Sequence, residues 1–125
     1  MKEIVDVGLP ALAQPFSWAV KGAGLLFTTH GPVRSDGTIE KGPIDVQARL
    51  TLENLRRAVE AAGGQMADVA QVLIYMADET DMPVIDAVYR EFFDAPYPNR
   101  SSVAVRGLVV PGMKVEMVAY AALTS

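Results

Sequence analysis

Apolar residues along this chain change rhythm several times, and the changes mark its elements. Glu3 to Val7 reads as a short first strand, and Leu9-Pro10 and Gln14-Pro15 break the stretch after it. Trp18 to Lys21 and Leu25 to Thr28 are short apolar runs on either side of Gly22-Ala23-Gly24, the spacing of a hairpin. Gly31-Pro32 and Ser35-Asp36-Gly37 then make a loop. From Asp45 to Ala62 the period becomes helical: Ala48, Leu52, Leu55, Val59 and Ala62 share one face, and Arg49, Glu53, Arg56, Arg57 and Glu60 fall largely on the other. Asp45 is placed to cap this helix, and Gly63-Gly64 to end it. Val69 to Met76 is nearly unbroken apolar and predicts a central strand buried on both faces. A second helix comes next, with Asp81 as its cap, Pro83 in its first turn and Ile85, Val88, Tyr89 and Phe92 as its stripe; Pro96 and Pro98 end it. Ser101 to Val105 and Lys114 to Ala122 predict the last two strands.

The order β-β-β-α-β-α-β-β predicts one α/β domain over residues 1–125, with two helices packed on one face of a mixed sheet. So small a domain has no spare layer for the other face, and self-association is the natural cover. Composition narrows the function. Eleven basic against fifteen acidic residues give a net charge of −4, which argues against a nucleic-acid partner. There is no cysteine and one histidine, so thiolate chemistry is excluded and a metal site is disfavoured; no cofactor is expected. No segment reaches the ~20 apolar residues of a bilayer span. Acid near the N-terminus does not fit a signal peptide, so a soluble cytoplasmic protein is expected.

Three places could carry chemistry. Arg100 comes directly after a proline-rich loop and starts a strand; its planar fork suits a carboxylate, although a surface arginine or one paired with a nearby acid fits its position as well. His30, in Thr28-Thr29-His30-Gly31-Pro32, is either a proton shuttle or a loop residue bonded to local backbone, and Gly31 beside it would let a ligand approach the backbone. Alternation puts Lys114, Glu116, Val118 and Tyr120 on one face, where Glu116 could pair with Arg100 or Arg106. Tyr75 and Tyr89 read as core aromatics. No phosphate loop, His-x-x-x-His pair or nucleophile elbow occurs.

The run Pro98-Asn99-Arg100-Ser101-Ser102-Val103-Ala104-Val105-Arg106-Gly107-Leu108, with Val115-Glu116-Met117 after it, resembles the C-terminal signature of the Rid (YjgF) family of imine/enamine deaminases. Gln14-Pro15-Phe16-Ser17-Trp18-Ala19, Gln47 to Leu55, Glu60 to Gly64 and Tyr89 to Phe93 are similar to further family segments. The resemblance implies a chorismate-mutase-like fold and a homotrimer with sites in the clefts between subunits. It implies hydrolysis of reactive imines such as 2-iminopropanoate to a 2-oxo acid and ammonia, with Arg100 holding the substrate carboxylate.

Against the family pattern, Val118 stands where the resemblance implies a water-positioning glutamate. Thr29-His30-Gly31 replaces Ser-Gly-Gln, Phe16 a tyrosine, Asp86 an asparagine and Ser102 a common cysteine. Phe16, Gly31, Asp86, Arg100, Ser102 and Val118 are therefore the expected binding residues, with Arg100 and His30 as the catalytic candidates. Two functions stay open: a deaminase in which His30 or a backbone carbonyl replaces the missing acid, and a non-catalytic binder of small carboxylates with a regulatory or scavenging role.

Overall fold

The computed structural model describes residues 1–124. Six strands and two helices occur in the expected order: β1 (Glu3–Ile4), β2 (Ala19–Gly22), β3 (Leu25–His30), α1 (Ile44–Ala61), β4 (Val69–Met76), α2 (Met82–Phe92), β5 (Asn99–Ala104) and β6 (Val115–Ala122). They form one sheet in the order β1-β2-β3-β6-β4-β5. Only β4 and β5 run parallel, because α2 carries the chain back between them. Both helices cover one face of the sheet. Leu52 and Leu55 from α1, Ile85 from α2, and Ile74 and Met117 from the sheet are completely buried there. Each removes an apolar side chain from water, a gain of about 1.5–3 kcal/mol apiece at most.

Element ends depart from the sequence pattern for local reasons. The hairpin strands run on through Gly22 and resume at Leu25, so the turn is only Ala23-Gly24, both at positive φ (54° and 77°). That geometry matches the twist of the two strands it joins. Pro43, not Asp45, stands at the N-cap of α1; Asp45 lies in the first turn and makes no capping hydrogen bond. Asp81 likewise makes no side-chain cap to α2; Asp78 instead accepts from the Thr80 amide (2.9 Å) in the single helical turn before it. The first strand is shorter than expected, although the Val5 amide still donates to the Ala19 carbonyl (3.0 Å).

The larger correction concerns β4. Its residues alternate: Val72, Ile74 and Met76 are buried against the helices, whereas Gln71, Leu73 and Tyr75 are only half-buried on the far side. The expected burial on both faces therefore does not hold within one chain, and Tyr75 is not a core residue. That far face carries Leu25, Phe27, Leu73, Tyr75, Val103 and Tyr120, an apolar surface that no element among the described residues covers. No helix among the described residues is long and apolar enough to cross a membrane.

Candidate active site

Strand register decides which candidate residues can meet. Glu116 pairs with Tyr75 and lies between the buried Val115 and Met117, so it projects from the uncovered face. Arg100 pairs with Val72 on the helix face, at the sheet edge. Three residues along the strands and two strands across separate them, about 14 Å between Cα atoms. Within one chain Asp86 and Arg100 thus line one hollow and Phe16, His30, Gly31 and Glu116 another, while Ser102 and Val118 line neither.

The first hollow, about 220 Å³, lies between α2 and β5 and is lined by Asp86, Tyr89, Arg90, Tyr97, Pro98 and Arg100. Arg100 lies over the Tyr89 ring (5.0 Å to its centroid), and its Nη1 stands 2.7 Å from Asp86 Oδ1. This corrects the sequence pairing: the acid beside Arg100 is Asp86, not Glu116, and neither Arg100 nor Arg106 bridges Glu116 among the described residues. The contact is an ion pair, and Asp86 Oδ1 is itself shielded from water. The Tyr89 hydroxyl is buried without a partner, and burial pushes its pKa up to about 12. Ser102, two residues along β5 on the same face, is exposed.

The second hollow, about 390 Å³, opens where β3 ends and β6 begins. Phe16 stands at its mouth, packed edge-on against Trp18 (4.7 Å between centroids), and Thr29, Gly31, Met113 and Glu116 continue the wall. Glu116 is half-buried and forms no ion pair among the described residues; desolvation holds its carboxyl above the ordinary glutamate range. Val118 sits two residues along the same face, between Thr29 and Leu73. Gly31 is buried, and a Cβ there would lie 2.5 Å from the Met113 methyl, so its missing side chain makes room for Met113.

His30 is the clearest change from expectation. It points to the helix face and is 1% exposed. Its Nε2 lies 2.7 Å from Thr28 Oγ1, and that hydroxyl donates its one proton to the Trp18 carbonyl (2.8 Å). The network therefore assigns the proton to Nε2 and leaves Nδ1 bare, buried and unpartnered. The ring stacks parallel on Trp18 (5.9 Å, 7°). Burial first, and then the Arg57 charge, lower its pKa to about 4. His30 lines the second hollow, but its 1% exposure and its hydrogen bond to Thr28 give this ring the surroundings of a packing element.

Two side chains that the sequence pattern did not single out hold the second hollow open. Gln47, fully buried in α1, donates to the Gly42 and Gly112 carbonyls (3.1 and 3.0 Å) and accepts from the Lys114 amide (2.8 Å). Asn54 donates to the Gly31 and Val33 carbonyls (3.1 and 2.8 Å). Their signal was present: Gln47, Thr51 and Asn54 recur at helical spacing on the buried side of α1.

A mixed six-stranded sheet backed by two helices on one face, with an arginine at one edge and a half-buried carboxyl on the open face, defines the class as a small α/β protein with one uncovered sheet face. Comparison narrows the class. The family described as Endoribonuclease L-PSP matches residues 9–123. The 2-iminobutanoate/2-iminopropanoate deaminase of Dermatophagoides farinae is 34% identical over 111 residues, 86% of this chain and 86% of that protein. The mitochondrial protein mmf2 of Schizosaccharomyces pombe is also 34% identical, over 110 residues, 86% of this chain and 87% of that one. The crystal structure of Escherichia coli TdcF with bound serine superposes at a TM-score of 0.88 with 33% identity, covering 98% of this chain and 99% of that one. The chain belongs to this family, the Rid (YjgF) proteins. Because one relative is named as mitochondrial, membership does not by itself select the cytoplasm.

Proposed function

We propose that this protein hydrolyses reactive small 2-imino acids, of the 2-iminopropanoate kind, to a 2-oxo acid and ammonia, at a site completed between two copies of the chain. The observation that carries the reading is Glu116: a carboxyl without an ionic partner among the described residues, raised in pKa by desolvation, in the wall of a cavity. A base for water addition needs those properties. In the proposed reaction Glu116 takes a proton from water as its oxygen bonds to the imine carbon. Glu116 passes that proton to nitrogen, then takes the hydroxyl proton as the tetrahedral carbinolamine collapses, so the carbonyl forms while the C–N bond breaks and ammonia leaves. Arg100 from a neighbouring copy holds the substrate carboxylate, so the imine carbon is presented to that water.

This reading restores an acid to the site without His30, and it makes Val118 a neighbour of the base instead of the site of its loss. The deaminase name of the mite relative supports the reaction, and serine in the TdcF structure supports a small carboxylate ligand. The net charge of −4 favours a small acid over RNA as substrate.

The Arg100–Asp86 pair favours a second reading, a binder that does not turn its ligand over, because the guanidinium already has a charge partner. One experiment separates the two. The imine is generated enzymatically, and 2-oxo acid release is measured with wild type, Glu116→Gln and Arg100→Ala. Hydrolysis predicts acceleration above the spontaneous rate, an about 100-fold or larger fall for Glu116→Gln and a loss of about 2–5 kcal/mol in kcat/KM for Arg100→Ala. Carboxylate binding without acceleration selects the binder.

A further inference from the structure

We infer that Asp86 makes the site selective for ligands that carry a positive nitrogen next to their carboxylate, so that protonated 2-imino acids are held and 2-oxo acids are released. The inference rests on the proposed seat of the ligand carboxylate at Arg100. Asp86 Oδ1 stands 2.7 Å from Arg100 Nη1 and so offsets its charge before any ligand arrives. A simple anion entering the hollow gains the guanidinium but also meets the Asp86 carboxylate. A zwitterion meets two complementary charges: its carboxylate faces Arg100 and its N–H faces Asp86.

The second observation concerns that same oxygen. Asp86 Oδ1 is shielded from water and turned to Arg100, so a ligand would meet the rest of the Asp86 side chain, which is 27% exposed. A ligand N–H in the 220 Å³ hollow, which Asp86 lines, would meet that exposed part of the side chain. An uncharged residue of similar shape at position 86 would lack that charge preference. The chemistry is self-consistent: hydrolysis replaces the positive C=N–H by a neutral C=O, so the product loses the group that Asp86 recognises.

The test uses L-alanine as the stable zwitterion and pyruvate as the stable 2-oxo acid, with binding to the purified protein measured by calorimetry. We expect wild type to bind alanine at least tenfold more tightly than pyruvate. In Asp86→Asn the ratio falls tenfold or more, with alanine weakened and pyruvate strengthened. The inference is overturned if wild type binds pyruvate as tightly as alanine, if it binds no alanine, or if Asp86→Asn leaves the ratio unchanged. The wild-type ratio needs no variant, so a poorly folding Asp86→Asn does not spare the claim. Imine hydrolysis is measured on the same sample. Turnover without the ratio removes this inference alone, and the ratio without turnover removes the hydrolytic reading while selectivity stands.

Discussion

At the scale of single residues, burial separates the candidates that sequence position could not. His30 and Glu116 are both ionisable and stand one register step apart on neighbouring strands. The strand pleat sends His30 into the core and Glu116 to the open face. The consequence for His30 can be measured. Its folded pKa of about 4 lies below the ordinary value of 6.5, so between those pH values the unfolded chain binds a proton that the folded chain refuses. Stability is therefore full above pH 6.5 and falls as the pH drops towards 4, by about 3 kcal/mol from this one group. His30→Phe keeps a ring against Trp18 and should flatten that part of the pH–stability curve in urea titrations at pH 7, 5.5 and 4.5. An unchanged slope would show that other groups carry it. Arg100 was legible as a candidate because a strand start after Pro98 is visible in the sequence. Its partner was not, because which acid lies beside it depends on how α2 packs against β5. Glu116 looks like a pairing residue in the sequence for the same reason: alternation gives a face, but not the strands beside it or the cavity at its end.

At the scale of elements, local pattern carried most of the fold. Both helices and all six strands were legible from period and punctuation, because those signals are local. The loops were harder, since the bonds that hold them are not local. Gln47 is joined to the Gly112 carbonyl and the Lys114 amide, 65 and 67 residues away, and no periodicity reports such a bond. The two buried amides of α1 act as struts for the segments that line the larger hollow: Asn54 for 31–33 and Gln47 for 42 and 112–114. Gln47→Ala would take the buried partner from two carbonyls and one amide. We expect it to lower stability by about 2–4 kcal/mol. Hydrogen exchange at the Lys114 amide gives the decisive readout, because only loss of this strut predicts that its protection falls further than that of the β6 core. Arg49 and Glu91 also tie α1 to α2 (2.9 Å), but the pair is exposed and contributes little.

At the scale of the molecule, the uncovered sheet face and the division of the site are two aspects of one arrangement. Leu25, Phe27, Val103 and Tyr97 expose apolar surface that a second copy would cover. Arg100 and Glu116 project from opposite faces of one sheet and cannot grip one small ligand within a chain. If copies associate as a closed trimer, as the resemblance implies, each interface can bring the arginine edge of one copy to the carboxyl cavity of the next. That arrangement predicts complementation between inactive variants. Arg100→Ala and Glu116→Gln are co-expressed with different tags, and trimers carrying both tags are isolated. Whichever variant supplies two of the three copies, one interface of three joins an intact arginine to an intact glutamate, so activity should return to about a third of wild type. Sites contained within single chains would leave every mixed assembly inactive, because each copy lacks one of the two groups. A mixed assembly that matched wild type would mean that one of the two residues is dispensable. Only the intermediate value, together with a trimeric mass in solution, agrees with a site divided between neighbours.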